Sequence, residues 1–160
     1  MHDGIVIIYT SEIAKENQSV DSNTKSAFGY KIVSDEEDIL FAKGVYGRTN
    51  NQMELVAAIV ALEKAVSLDF NLRRTIIYSD SEYLIKGATG ENKRHKNLDY
   101  WTILDGLIAL FPKLDFKKVD AHAGKLDENG KNNQEIADLV RKTIKELPDA
   151  DNLKYNRIRL

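Results

Sequence analysis

Three carboxylates in the sequence have the chemistry needed for metal-assisted phosphoryl hydrolysis. Glu54 falls in the first turn of a predicted helix, Asp80 directly follows an apolar strand, and Asp138 lies inside the last predicted helix. Mg²⁺ prefers carboxylate oxygens plus water, and a bound divalent ion stabilises the attacking and leaving oxygens of the reaction. If the fold gathers these acids at one place, the sequence predicts a divalent-metal site there.

Each of these residues also has a structural interpretation. An acid such as Glu54 in a first helical turn interacts favourably with the helix dipole, and Asp80 could be the N-cap of a short helix. Asp138 shares a polar helical face with Arg141, so an exposed ion pair would explain it. A single loop histidine, His122, is typical of a solvated position. Taken one at a time, the residues leave both interpretations open.

The elements that would position these acids can be predicted from the hydrophobic pattern. Apolar residues lie nearly all round a helix from Gln52 to Val66, which is therefore mostly buried. Thr49 and Gln52 have the spacing of a capping box at its start. A β-branched run over 75–78 predicts a strand that ends at residues 79–81, just before a short helix.

The remaining pattern predicts the rest of one domain. A buried strand covers 5–9, a hairpin joins strands near 28–32 and 39–45, a helix covers 99–110, and a strand covers 114–121. A polar loop over 122–133 then precedes the last helix. The order β-β-β-α-β-α-α-β-α predicts an α/β fold with a mixed five-stranded sheet. Its first three strands are antiparallel, its last two are parallel, and helices cover both faces. We expect a domain over 1–147 and a C-terminal tail over 148–160.

Composition excludes several classes of protein. The chain of 160 residues is 42% apolar with a net charge of −2, which predicts a folded core and argues against a wholly basic nucleic-acid-binding surface. A local basic segment at 93–96 is the exception, and a solvated loop is its alternative interpretation. No run approaches the roughly 18 apolar residues of a membrane span. We expect a cytoplasmic monomer that does not bind membranes.

Four segments in order carry a resemblance to a known family. They are TNNQMEL at 49–55, YSDSEYL at 78–84, AHAG at 121–124 and NQEIADL at 133–139. In this order they resemble the motifs of type 1 ribonuclease H, and the predicted order of strands and helices is similar to that family's fold. The resemblance covers about residues 5 to 145, and its first segment is the most specific.

The resemblance implies an activity and a set of catalytic residues. Members use two Mg²⁺ or Mn²⁺ ions to cut the RNA strand of an RNA–DNA hybrid. By resemblance, Glu54 and Asp80 are metal ligands and Asp138 is the acid near the second ion. His122 would assist proton transfer or product release. The implied protein is therefore a hydrolase, an endonuclease of the ribonuclease H type.

The resemblance also implies contacts with the nucleic acid. Thr49 matches a residue that contacts a DNA phosphate, and Asn50 and Asn51 match amides that reach the minor groove of the hybrid. Gln52 stands next to them where members often carry Arg, and we include it in the nucleic-acid-binding set. A wide minor groove displays 2′-hydroxyls, to which amide side chains can both donate and accept hydrogen bonds.

The sequence departs from the family at the end of its first strand. Ser11 occupies the position of an aspartate that bridges both ions in the family. A neutral hydroxyl leaves the repulsion between two dications less compensated, so metal affinity should fall. Glu12 is the obvious substitute. Because successive strand residues point to opposite faces, we expect Glu12 to reach the site only through a bend or bulge.

Three hypotheses therefore stay open at the level of sequence. The first is an active metal-dependent ribonuclease in which Glu12 or water replaces the lost acid. The second is a nucleic-acid-binding module of the same fold that cuts poorly, because Ser11 replaces the aspartate. The third is a protein-interaction domain that no longer binds nucleic acid, which the excess of acids over bases would favour.

Overall fold

The computed structural model describes residues 4–14, 23–119 and 127–149. The described residues form five strands and four helices. They are β1 (Val6–Ala14), β2 (Lys25–Val33), β3 (Asp38–Tyr46), α1 (Asn50–Ser67), β4 (Thr75–Ser79), α2 (Glu82–Thr89), α3 (Leu98–Ile108), β5 (Leu114–Lys118) and α4 (Glu128–Glu146). This order confirms the predicted succession of elements.

The strands form one mixed sheet in the order β3-β2-β1-β4-β5. β1 and β2 are antiparallel, as are β2 and β3, whereas β4 is parallel to both β1 and β5. The predicted α/β class and the division into antiparallel and parallel strands are confirmed. The carboxyl ends of β1 and β4 therefore point the same way, which brings Ser11 and Glu12 towards the same edge of the sheet as Asp80.

Helices cover the two faces of the sheet with separate apolar clusters. On one face, Val6 and Ile8 of β1 pack in a cluster with Leu55 and Leu62 of α1 and with the buried Trp101 of α3. On the other face, β1 and β2 contribute Tyr9 and Ala27, which pack with Ile136, Val140 and Ile144 of α4. Each β1 residue is thus assigned to a face by strand alternation.

The two largest errors in the predicted boundaries lie in polar segments. β1 continues through Ala14, although the sequence predicted its end near Tyr9, because every residue from Ile7 to Ala14 has a partner on β2. α4 begins at Glu128, within the segment predicted as a loop. Its N-cap is Asp127, whose carboxylate accepts a hydrogen bond from the Gly130 N–H at 2.7 Å. Hydrogen bonds determine the end of β1 and the start of α4. Such hydrogen bonds do not require a periodic apolar pattern in the sequence.

The predicted start of α1 is confirmed in detail. The Thr49 hydroxyl accepts a hydrogen bond from the Gln52 N–H at 3.1 Å, and the Gln52 side chain accepts one from the Thr49 N–H at 3.0 Å. This is the reciprocal capping box. In the described part of the chain, no helix is long and apolar enough to cross a membrane.

Candidate active site

The site begins where α1 meets the junction between β4 and α2. Glu54 is the fifth residue of α1, so it lies beyond the first turn, and its predicted first-turn position was wrong. Its Oε2 accepts a hydrogen bond from the Ser81 hydroxyl at 2.5 Å. This bond holds the Glu54 carboxylate against the residue that directly follows Asp80. Burial raises the pKa of Glu54; the hydrogen bond from Ser81 lowers it and the charge of Asp80 raises it further.

Asp80 is exposed and does not cap α2. The cap is Ser81, whose hydroxyl accepts the Leu84 N–H at 2.9 Å, while the Ser79 hydroxyl accepts the Ser81 N–H at 3.0 Å. The structural interpretation of Asp80 as an N-cap is therefore wrong. Its carboxylate instead contributes negative charge beside Glu54 at the carboxyl edge of the parallel strands.

Glu12 lies on the α1 face of the sheet without any distortion of β1. The pairing of β1 with β2 continues in register past Glu12 to Ala14 and Ser26. Glu12 is four residues beyond Ile8 and shares its face, which is the face covered by α1, the helix that carries Glu54. The expectation that Glu12 needs a bend or bulge is wrong. Even-numbered residues of β1 already face α1.

The Glu12 carboxylate is held in an unusual environment. Its Oε2 is buried without a hydrogen-bond partner, as is the Thr10 hydroxyl two residues earlier on the same face. Burial raises the pKa of Glu12 well above its usual value, and the charges of Glu54 and Asp80 raise it further. Among the described residues, the charged groups that shift this pKa are acids.

Ser11 faces the other side of the sheet. Its neighbours in alternation, Tyr9 and Ile13, pack in the cluster beneath α4. The same cluster takes its apolar residues from one side of α4, including Ile136 and Val140. Ser11 is therefore separated by the backbone of β1 from the face that carries Glu54.

The other predicted catalytic residues are placed differently. Asp138 is exposed on α4, where its Oδ1 accepts a hydrogen bond from the Gln134 side chain at 2.9 Å and forms an ion pair with Arg141. It is not among the groups that shift the pKa of Glu12 or Glu54. The structure thus places Glu12, Glu54 and Asp80 within electrostatic reach of one another and pairs Asp138 separately. His122 lies outside the described residues.

The donor set matches a hard divalent cation in its chemistry. Glu12, Glu54 and Asp80 offer carboxylate oxygens, their charges repel one another, and Glu12 Oε2 has no partner. The three carboxylates do not form a closed set of ligands. Within 4–14, 23–119 and 127–149, no three His, Asp or Glu side chains lie close enough together to form a complete metal-ligand group. Mg²⁺ commonly takes one or two carboxylates and completes its shell with water and substrate phosphate, so an open arrangement of oxygens suits it.

The predicted nucleic-acid-binding residues surround a pocket next to α1. Thr49, Asn50 and Asn51 line a pocket of about 420 Å³ together with Lys96 and Asn97. Sequence analysis noted Lys96 only as part of a basic segment and missed Asn97. Asn97 has a left-handed backbone, with φ of 59°, at the start of α3. An Asn that follows a basic run and precedes a helix is the signal that would have identified it.

Two of the predicted binding amides have structural partners. The Gln52 side chain is part of the capping box, and the Asn50 side chain accepts a hydrogen bond from the Ala14 N–H at 2.9 Å. Asn50 therefore fixes the end of β1 beside the start of α1. Asn51 is exposed and lines both this pocket and the next one, which leaves it the best placed of the three amides to contact a ligand.

The basic segment is partly anchored, so it is more than a solvated loop. Arg94 lies over the Trp101 ring at 4.2 Å and pairs through both of its terminal nitrogens with Asp105. A second pocket, of about 200 Å³, lies between this segment and Tyr83. Lys93, His95 and Lys96 line the same pocket and are exposed, so they remain accessible to phosphate groups.

The fold and the acids at the strand ends define a class of α/β protein, and comparison with known proteins identifies the family. The RNase H family model matches residues 5–145, so this chain belongs to the RNase H family. A ribonuclease H from Blochmanniella floridana is 35% identical over 118 residues, which cover 66% of this chain and 65% of that protein. The match thus spans slightly less than two thirds of that relative's length.

Two further relatives support the same conclusion. A ribonuclease HI from Vibrio parahaemolyticus is 32% identical over 142 residues, which cover 79% of this chain and 85% of that protein. The crystal structure of LC11-RNase H1 in complex with an RNA/DNA hybrid has a TM-score of 0.70 and 20% identity, and the match covers 88% of this chain and 97% of that one. The solved structure shows the similarity of fold, and the resemblance inferred from the sequence motifs is confirmed.

Proposed function

We propose that this protein hydrolyses the RNA strand of an RNA–DNA hybrid with the help of divalent cations. The observation that carries the proposal is the contact between Glu54 and Ser81, which fixes one carboxylate beside Asp80 at the carboxyl edge of the parallel strands. Both acids lack a basic partner among the interactions described for them. Membership of the RNase H family supports the same reaction.

Glu54 and Asp80 would hold Mg²⁺ or Mn²⁺. Bound there, the ions would activate water and stabilise the leaving oxygen of the phosphodiester. Ser81 would orient the Glu54 carboxylate through the bond it already makes. Asp138 would serve a second ion, which requires its exposed pair with Arg141 to open. Such pairs contribute only about 0–1 kcal/mol, so this cost is small.

His122 would assist proton transfer or product release in this proposal. The role follows from its position in the AHAG segment, within the region that the family model matches. A histidine changes protonation state near neutral pH, which suits it to accept and return a proton during turnover.

The hybrid would be held beside these acids by α1 and the basic segment. Lys96 and the Asn97 amide line one pocket with Thr49, so a phosphate of the DNA strand would find both a cation and hydrogen-bond donors there. Asn51 would reach the minor groove. LC11-RNase H1, which shares this fold, is described in complex with an RNA/DNA hybrid. Selectivity would come from the shape of the duplex more than from its base sequence.

A cleavage assay tests the proposal directly. The full chain is incubated with an end-labelled RNA–DNA hybrid in Mg²⁺ or Mn²⁺, and with double-stranded RNA and DNA of the same sequence. We expect cleavage of the RNA strand of the hybrid alone, and loss of cleavage in EDTA. Rates equal to those of Glu54→Ala would reject the proposal.

A second candidate function is hybrid binding with little cleavage. It is favoured by Ser11, which supplies no negative charge where the family has an aspartate. In that case Ser11→Asp should raise the cleavage rate while hybrid affinity stays unchanged, and equal rates for the two proteins would count against it. Hybrid affinity that falls with added salt would exclude a domain that has lost nucleic acid altogether.

A further inference from the structure

We infer that Glu12, and not Ser11, is the β1 residue whose carboxylate serves the cation site beside Glu54 and Asp80. The inference rests on the proposed metal-dependent function and specifies how this chain compensates for its departure from the family. It depends on three observations: the face on which Glu12 lies, its unpartnered oxygen, and its acidic neighbours.

The first observation is the regular geometry of β1. Val6 and Ile8 pack against α1, and the register with β2 has no interruption as far as Ala14. Alternation therefore places Thr10 and Glu12 on the α1 face, with Glu54. Ser11 lies between Tyr9 and Ile13, both of which pack towards α4. A carboxylate at position 12 reaches the α1 face directly, whereas the Ser11 hydroxyl does not.

The second observation is that the Glu12 carboxylate is incompletely satisfied. Its Oε2 is buried with no hydrogen-bond partner, and the nearby Thr10 hydroxyl is also buried without one. These are the two unpartnered buried side-chain oxygens found in the described residues. A buried carboxylate without a partner is costly, so proteins rarely keep one unless a ligand satisfies it.

The third observation is the sign of the surrounding charge. Within 4–14, 23–119 and 127–149, the charged groups that act on Glu12 are Glu54 and Asp80, and no Lys or Arg of these ranges is among them. The Ser81 hydroxyl donates its hydrogen bond to Glu54. A divalent cation bound beside these acids, with water completing its shell, would reduce their repulsion and provide a partner for Glu12 Oε2.

Glu12 differs from Ser11 in face and in charge. Glu12 is one residue further along β1, so it lies on the α1 face, and it carries a carboxylate where Ser11 carries a neutral hydroxyl. Its charge would add to those of Glu54 and Asp80 near the ion without an aspartate at position 11.

Mn²⁺ binding by the full chain tests the inference without relying on catalysis. Isothermal titration calorimetry compares the wild-type protein with Glu12→Gln, Ser11→Ala and Glu63→Gln. Glu63 is an exposed acid on the same helix as Glu54, about two and a half turns further on, so its variant controls for loss of one negative charge. We expect Glu12→Gln to weaken Mn²⁺ binding at least about tenfold, as loss of even an indirect ligand contact does. The other two variants should bind within about twofold of wild type.

A second readout separates ion binding from folding. The unfolding temperature is measured in EDTA and in Mn²⁺ for the same proteins. In EDTA, Glu12→Gln should unfold no lower than wild type, because a buried repulsion is removed. Mn²⁺ should raise the unfolding temperature of wild type and, to a smaller extent, of Glu12→Asp, but leave that of Glu12→Gln unchanged.

The outcomes distinguish this inference from the proposed function. Wild-type protein that binds no Mn²⁺ would overturn both. Wild-type binding that is lost in Glu54→Gln but retained in Glu12→Gln would overturn the inference alone. Weakened Mn²⁺ binding in Ser11→Ala with normal binding in Glu12→Gln would show that Ser11, and not Glu12, is the β1 residue that serves the ion.

Discussion

Buried charged side chains on the two faces of the sheet have neighbours of opposite kinds: a partner of opposite charge on one face and like charges on the other. On the α4 face, the Lys31 side chain is only 7% exposed, but its ammonium pairs with Glu135 at 2.9 Å and lies 3.7 Å from Asp38. On the α1 face, the charges of Glu54 and Asp80 act on Glu12, and the charge of Asp80 acts on Glu54. A charge with a partner stabilises the packing of a helix on the sheet. A group of like charges costs stability unless a ligand of opposite sign binds.

This contrast distinguishes acids that have a basic partner from acids on which further negative charge acts. Asp138 comes from a segment that resembles a family motif, yet it is paired with Arg141 in the manner of the α4-face acids. Glu12 lies outside the segments that carry the resemblance, yet like charges raise its pKa as they raise that of Glu54. Four changes of charge or partner should therefore have different effects on the two faces.

The largest effect should follow from removing the carboxylate charge of Glu54. Glu54→Gln keeps the size of the side chain and can still accept the bond from Ser81, but it no longer carries negative charge for an ion. We expect the rate of hybrid cleavage to fall by about 100-fold or more, measured with labelled hybrid under single-turnover conditions. Glu63→Gln is the matched control. A loss of cleavage in both variants would refute a specific role for Glu54.

The second effect concerns Tyr9 on the α4 face and depends on pH. Burial raises the pKa of Tyr9 to about 12, and its hydroxyl donates a hydrogen bond to Asn129 at 2.6 Å. A raised pKa means that the folded state holds the proton more tightly. Its contribution is therefore complete below pH 10 and is lost as pH rises towards 12. Between pH 9 and 11 the loss should be on the order of 1 kcal/mol.

Urea unfolding of wild type and Tyr9→Phe at several alkaline pH values measures this contribution. Phe does not ionise, so the free energy of unfolding of the variant should fall less steeply with pH. At neutral pH the variant should be less stable by about 1 kcal/mol, because one hydrogen bond is lost. Parallel pH curves for the two proteins would show that Tyr9 ionisation does not contribute.

The third effect is loss of the ammonium that holds Glu135. Lys31→Met leaves Glu135 and Asp38 without a partner, but both are about half exposed, at 48% and 52%, and can rehydrate. We expect a loss of about 1–2 kcal/mol in the free energy of unfolding, less than for a fully buried pair. Combining it with Glu135→Gln should cost less than the sum of the two single changes. Additive losses would argue against an energetic coupling between these residues.

The smallest effect on stability should come from Asp138. Its pair with Arg141 is exposed, with both side chains more than half accessible, so Asp138→Asn should change the free energy of unfolding by less than about 0.5 kcal/mol. Hybrid cleavage should nevertheless fall by about tenfold if Asp138 serves a second ion. Arg141→Gln is the control and should retain cleavage. Unchanged cleavage in Asp138→Asn would place Asp138 with the structural acids.

Much of the fold could be predicted because its signals are local. The capping box at Thr49 and Gln52 depends on residues three apart, and the all-round apolar pattern of α1 specifies a buried helix whatever it packs against. The site was partly predictable for the same reason. Glu54 and Asp80 belong to short motifs at an element start and an element end, which locate them at one edge of a sheet.

The errors fall where hydrogen bonds, and not apolar patterns, determine the structure. The polar end of β1 is a strand because β2 pairs with it, and no apolar pattern in residues 11–14 predicts that. The start of α4 depends on the cap formed by Asp127. The role of Asp80 as a cap was wrong because Ser79 and Ser81 together satisfy the backbone of the junction.

The sequence by itself determined the order of the strands and helices, the start of α1 and the types of the acids, because propensity, capping and periodicity act within a few residues. Only the tertiary structure decided which acids share a face, which of them meet a basic partner and which pocket Lys96 and Asn97 line. Electrostatic interactions fall off over a few ångströms, so the environment of a carboxylate depends on residues from distant parts of the chain. Glu12 illustrates the difference: its identity is visible in the sequence, but its burial beside Glu54 follows only from the pairing of β1 and the packing of α1.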